Sequence, residues 1–243
     1  MKVLVFDTET TGLPERNASF TETNLWPHVI QLSYVLYETD TGKILEHGDN
    51  IINLPKDVEI SEKSIEIHGI DRKKSNGGIL IKDAIQDFNN MILKCDMIVG
   101  HNISFDKKMI SVECIRLKTR QYFNVYGTRI KEFCTMKGST KLCNILKAKT
   151  NGNTYLKFPT LCELHNHLFG YNPENLHNSM IDVLVCMKCF HKIKFDEPIE
   201  CSTFNMLLTG YNNDCDCECE YDYDEQVSHG SSTVEGSSVN CCG

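Results

Sequence analysis

The sequence predicts an α/β protein: a mixed sheet that begins as an antiparallel meander, is completed by parallel strands, and is covered by helices. Two observations predict this. Three strand-like apolar runs come first, at 2–7, 28–37 and 43–53, the last two joined by "ETDTGK", whose Asp, Thr and Gly suit a hairpin turn. Helix and strand patterns then alternate to residue 193, as expected where right-handed crossovers add parallel strands to a sheet.

Each later element has its own signal. A short helix is expected near 61–67, and a longer one near 79–94, where Ile81, Ala84, Ile85, Phe88 and Ile92 recur at helical spacing. "DMIVG" at 96–100 reads as a buried strand leading into a helix from about 104 to 118. A short strand at 131–135 and helices near 160–168 and 179–193 complete one domain, taken as residues 1–195.

Residues 196–243 are expected to form a tail. From about residue 200 the chain becomes acidic, rich in Cys, Ser and Gly and poor in aliphatics, so it is read as disordered. The net charge of −8 is concentrated there. All 25 Lys and Arg lie between Lys2 and Lys194 with 22 acids, whereas the rest carries 11 acids and no Lys or Arg. No apolar run is long enough to span a bilayer, and "MKVLVFD" has no signal-peptide pattern, so an intracellular, cytoplasmic protein is expected. The 13 cysteines then read as reduced thiols. Cys186 and Cys189 form a C-x-x-C that fits half of a zinc site or a core-facing helix, and the tail cysteines fit a soft-metal site or a solvated segment.

The chemistry starts at "VFDTETTGLP", residues 5–14. Asp7 and Glu9 are two apart on a strand and share a face, where like charges raise each other's pKa unless a cation intervenes. "VGHNISFD" places Asp106 early in a helix that follows a buried strand, and "LHNSMIDVLVC" places His177 just ahead of a helix carrying Asp182. Singly, Asp106 and Asp182 are explained by the helix macrodipole, and Ser179 with Asp182 fits a capping box. Together, four carboxylates at the carboxyl end of parallel strands require cations, and an all-oxygen site suits two Mg²⁺ ions, with Mn²⁺ able to substitute. On an ideal helix residues five apart differ by about 140°. His177 must therefore precede its helix to swing over the site, where an imidazole can take a proton at neutral pH.

These residues resemble the motifs of the DEDDh 3′→5′ exonucleases, the family that includes the proofreading subunit of bacterial DNA polymerase III. "DTETTGLP", "GHNISFD" and "HNSMID" match its three motifs in order, with "IHGI" (67–70) and "KFPTLCELHNHLFG" (157–170) resembling the intervening segments. The resemblance covers residues 2–193 and implies a ribonuclease H-like fold, a five-stranded mixed sheet with helices on both faces. It also implies that Asp7, Glu9, Asp106 and Asp182 hold two divalent ions and that His177 is the general base. The implied reaction removes nucleoside 5′-monophosphates from single-stranded or frayed DNA 3′ ends, as in proofreading or repair. Alternatives are an exoribonuclease of the same family and a non-catalytic nucleic-acid or polymerase-binding module.

The resemblance further suggests substrate contacts. Leu13 matches a residue that wedges against the terminal bases, or is a loop leucine tucked on the core. Asn102 lies beside the scissile end, or is a turn-former. Thr8, Thr10, His101 and His177 complete the set, with His68 and His101 also readable as structural. Candidate phosphate contacts are "RKK" (72–74), Lys107-Lys108, "RLKTR" (116–120) and the lysines between 137 and 149. Cys134 departs from the Asp often found there in bacterial proofreading subunits, and a DNA polymerase is a candidate partner with no binding feature to identify it. The acidic tail is read as an electrostatic brake on nucleic-acid binding.

Overall fold

A computed structural model describes residues 1–125, 128–199 and 201–213. Five strands form the main sheet: Lys2–Thr10 (β1), Val29–Glu38 (β2), Ile44–Ile51 (β3), Met97–Gly100 (β4) and, after the two-residue strands Asn124–Val125 (β5) and Thr128–Arg129 (β6), Lys131–Cys134 (β7). Their order is β3-β2-β1-β4-β7, with β1–β2 and β2–β3 antiparallel and β1–β4 and β4–β7 parallel. This is the mixed sheet read from the sequence. A separate hairpin pairs Leu146–Ala148 (β8) with Thr154–Leu156 (β9).

The apolar run of β1 explains its central place. Val3, Leu4, Val5 and Phe6 are all essentially fully buried, which requires a covering layer on each side. Leu4 and Phe6 face a core shared with Ala84, Ile85 and Phe88 of α3 (Ile81–Ile92) and Met109 and Ile110 of α4 (Ser104–Arg116). Val3 and Val5 face the opposite core, made with Met180, Val183, Leu184 and Met187 of the helix Ser179–Phe195. Strand alternation thus assigns odd positions of β1 to that last helix and even positions to α3 and α4. Two smaller helices, α1 (Glu62–His68) and α2 (Arg72–Asn76), link the meander to α3. The one-turn helices α5 (Thr135–Gly138) and α6 (Thr140–Cys143) precede the hairpin, and α7 (Leu161–Phe169) precedes α8, the helix Ser179–Phe195.

Two expectations need correction. The first strand runs to Thr10 rather than residue 7, because Asp7, Thr8 and Glu9 stay paired with Ser33, Leu32 and Gln31. The carboxylates therefore sit within the ladder, and the register shifts only after Glu9. The tail expected from residue 196 also starts too early. A helix, α9 (Ser202–Asn213), buries Phe204 against the α8 core together with Leu207, Leu208 and Tyr211. Those four positions follow the i, i+3, i+4, i+7 spacing of a helical stripe, which the acidic composition beyond them masks. The expectation for residues 214–243 lies outside the described residues.

The cysteines of the described residues are free, and Cys186 and Cys189 are buried in the core side of α8. Among the described residues, no helix is long and apolar enough to cross a membrane.

Candidate active site

Strand parity places the first two carboxylates. Asp7 and Glu9 occupy odd positions of β1 and face α8, whose first turn carries Asp182. Carboxylate oxygens of Asp7, Glu9 and Asp182 all lie within 4.8 Å of one another. Asp106 comes from the opposite layer, on α4, and is only 3% exposed. One of its oxygens accepts from both the backbone N–H and the hydroxyl of Thr8, an even position on β1. The three-carboxylate cluster therefore forms on the α8 side, with Asp106 beside it across the strand.

The start of α8 is capped locally and tied to both β1 and β2. Asn178 caps the helix by accepting from the N–H groups of Met180 and Ile181, so the cap is Asn178 and not the Ser179-to-Asp182 box read from sequence. Ser179 instead turns its hydroxyl to the carbonyl of Asp7, 2.9 Å away. Its N–H meets Gln31 Oε1, while Gln31 Nε2 and Ser33 Oγ both donate to Asp49 Oδ1. Sequence reasoning missed Gln31, Ser33, Asp49 and Ser179 as supports. The available signal was the pair of polar residues alternating inside the apolar run "VIQLSYV".

The electrostatics are those of a site built for cations. Burial first, and like charges second, raise the pKa of Glu9 to about 9. Burial raises Asp7 to about 7 against a partial offset from the Ser179 hydroxyl. Asp106 and Asp182 are pushed well up by burial and then by the charge of Asp7. No ion pair among the described residues involves any of the four. A buried set of hard oxygen donors with no internal counter-charge fits divalent Mg²⁺ or Mn²⁺.

A cleft of about 510 Å³ opens onto this cluster, lined by Asp7, Asp182, His177, Asn102, Phe158 and Leu176 among others. His177 sits on its rim with a left-handed backbone (φ 74°), and its N–H donates to Asp182 Oδ2 at 3.2 Å. Asn102 is also left-handed (φ 64°) and lies in the cleft wall. Leu13 is 82% exposed, so it is not the tucked loop leucine. Its loop is held by the Thr10 hydroxyl on the Gly12 carbonyl, by Ser61 N–H on the Thr11 carbonyl, and by His68 Nε2 against the Thr10 carbonyl.

Three expected substrate contacts are otherwise engaged. Thr8 is spent on Asp106, and Thr10 on its own turn. Both ring nitrogens of His101 are occupied, Nδ1 by the Thr135 hydroxyl and Nε2 by the Pro159 carbonyl. Burial lowers the pKa of His101 to about 4, which keeps the ring neutral. Two arginines of the candidate phosphate-contact regions are also committed inward. Arg116 donates to the Thr23, Trp26 and Pro27 carbonyls and to Glu113, and Arg72 to the Leu54, Pro55 and Val58 carbonyls.

Comparison with known proteins agrees with this architecture. A family model described as Exonuclease (RNase T) matches residues 4–190. No curated protein sequence matches the chain. Among solved structures, Escherichia coli exonuclease I in complex with a dT13 oligonucleotide superposes with a TM-score of 0.59 at 13% identity, covering 80% of this chain and 41% of that one. A product-bound exonuclease I gives 0.58 at 13% identity, over 86% and 45%. A 3′-exonuclease described in 3′-end-specific recognition of a histone mRNA stem-loop gives 0.56 at 13% identity, over 82% and 83%. The chain thus spans less than half the length of exonuclease I, and at such identities the likeness is one of fold.

Proposed function

We propose, from the premise that this chain belongs to the exonuclease family, that it hydrolyses the terminal phosphodiester at the 3′ end of a DNA strand and releases nucleoside 5′-monophosphates. The observation that carries the reading is the convergence of the Asp7, Glu9 and Asp182 carboxylates within 4.8 Å at the base of a cleft whose rim is His177.

The chain's residues divide the work. Asp7, Glu9, Asp106 and Asp182 would hold divalent cations, which supply Lewis-acid stabilisation of the charge developing on the attacking and departing oxygens. Asp106 is held at one fixed orientation by Thr8, and Asp182 by the N–H of His177. His177 accepts a proton from the attacking water as the new P–O bond forms and the bond to the 3′-oxygen breaks, and that oxygen takes a proton from solvent. The exposed Leu13 wedges against the terminal bases, and Asn102 lines the path of the scissile end.

RNA is the second candidate substrate. It is favoured by the length-matched neighbour, the 3′-exonuclease of the histone mRNA stem-loop, over 83% of which this fold extends. One experiment tests both: 5′-labelled DNA and RNA oligonucleotides of matched sequence are followed with Mg²⁺, Mn²⁺ or EDTA, for wild type and Asp7→Ala. The expected result is a ladder shortening from the 3′ end that needs metal and Asp7. Degradation that survives EDTA, or is equal in the variant, overturns the mechanism.

A further inference from the structure

The β8–β9 hairpin contributes nothing to the core, since every residue of both strands is exposed. A two-stranded hairpin has little stability of its own. Its anchoring is at the base, where Lys157 N–H donates to the Ile145 carbonyl at 2.8 Å. Directly after that anchor, Phe158 (53% exposed) and Pro159 form part of the cleft wall that also contains Asp7, Asp182 and His177. His101 holds the Pro159 carbonyl and so fixes the hairpin's root to the end of β4.

The charge of this segment is one-sided. Between residues 133 and 162 the chain has Lys137, Lys141, Lys147, Lys149 and Lys157, and no acidic residue. Among the described residues only Lys157 of these five has a carboxylate partner, Glu163 at 2.5 Å. Register sorts the side chains. Lys147 stands opposite Tyr155 and Leu146 opposite Leu156, so alternation puts Lys147, Lys149, Tyr155 and Lys157 on one face of the hairpin. Lys149 Nζ lies 5.7 Å from the centre of the Tyr155 ring, in keeping with that face. Lys147 and Lys149, with no carboxylate partner among the described residues, flank the exposed Tyr155. Lysines interleaved with an exposed aromatic form the kind of surface that binds single strands by phosphate contact and base stacking.

We propose that this lysine–tyrosine face of the β8–β9 hairpin is a second strand-binding surface, holding the polynucleotide 5′ of the nucleotide in the cleft and making affinity rise with strand length. The inference rests on the reading of the cleft as the seat of a 3′ end. From Phe158 back to the turn at Gly152 an extended chain reaches about 20 Å at 3.3 Å per residue, a span of several nucleotides. The occupant is a polyanionic strand, of either sugar.

The test compares wild type, K147E/K149E and Tyr155→Ala on a 20-mer and a 4-mer, as DNA and as RNA. Binding is read by fluorescence anisotropy in EDTA, and hydrolysis as KM and kcat in Mg²⁺. The charge reversal is expected to weaken 20-mer binding at least tenfold at low salt and to flatten its log–log salt dependence by about 1.4, at about 0.7 for each phosphate no longer neutralised. Tyr155→Ala is expected to weaken it about fivefold or more. Cleavage of the 4-mer stays at wild-type kcat and KM. A 20-mer bound and cleaved by K147E/K149E as by wild type overturns the proposal, and so does an equal loss on both lengths. Hairpin-dependent binding without nucleotide release would sink the exonuclease reading while leaving the surface standing. Cleavage with unaltered variants would do the reverse.

Discussion

Thr8 donates both its backbone N–H and its hydroxyl to one oxygen of Asp106, at 3.1 and 2.8 Å, joining the main sheet to α4 beside the carboxylate cluster. One Asp106 oxygen takes both bonds, and on the proposed reading the carboxylate so oriented would meet a cation. Thr8→Val keeps shape and strand propensity but loses the hydroxyl bond, freeing Asp106 to rotate. Loss of an outer support of this kind costs about 10–100-fold in metal affinity or activity. We expect a fall of that size in kcat and a matching rise in the Mg²⁺ concentration for half-activity, with Thr8→Ser near wild type. A Thr8→Val enzyme with unchanged metal dependence would show that Asp106 needs no such orientation.

The raised carboxylates make a stability prediction. Glu9 at about 9 and Asp7 at about 7 lie above their ordinary values of 4.5 and 3.8, so between those limits the folded chain holds protons that the unfolded chain has released. Their stabilising contribution is full below about pH 4 and is lost as pH rises toward 9. Metal-free protein should therefore melt lower at pH 8.5 than at pH 5.5, and added Mg²⁺ should restore the loss. Glu9→Gln should raise the pH 8.5 melting temperature in EDTA. Each tenfold in the protonation constant is worth about 1.4 kcal/mol, or about 3–6 °C at this size. A Glu9→Gln melt that coincides with wild type in EDTA at pH 8.5 would show that Glu9 is not strained by charge.

Much of the proposed site was legible because each candidate residue sits beside a local sign. Asp7 and Glu9 break an apolar strand at period two, Asp106 follows a buried strand and a Gly, and His177 precedes a helix start. What stayed hidden depends on which partner a polar side chain finds. Thr8, Thr10 and His101 have the chemistry of substrate ligands, and only the fold brings up the partners that already engage their donors and acceptors. Gln31 meets Ser179 across a sequence separation of 148 residues and is itself held by Asp49, beyond any local pattern. Helix α9 was masked by averaging its apolar stripe with the acids after it.

Arg116 lies in a stretch read as a candidate phosphate-contact region, and the fold turns it inward. Its guanidinium serves three carbonyls and the buried Glu113, whose oxygen also takes the Val29 N–H. Lysine cannot reproduce that fork. Arg116→Lys should cost about 1–3 kcal/mol in urea unfolding, and Arg116→Ala about 3–5 kcal/mol. Oligonucleotide KM, measured where both remain folded, should not move. A KM shift without a stability change would return Arg116 to the substrate surface.

His177 separates its backbone role from its ring. At φ 74° a non-glycine residue bears about 1–2 kcal/mol of left-handed strain, which glycine avoids. Its N–H to Asp182 belongs to the main chain and survives any substitution but proline. His177→Gly should thus fold within about 1 kcal/mol of wild type, since relief of strain is offset by the greater freedom of an unfolded glycine. It should bind Mg²⁺ with unchanged affinity, yet lose at least about 100-fold in kcat through the missing proton acceptor. Added imidazole should recover part of that loss, more at pH 8 than at pH 6, where imidazole is largely protonated. If His177→Gly turns over at the wild-type rate, another group takes the proton. If it loses metal affinity along with rate, the ring helps to hold the cation rather than the water.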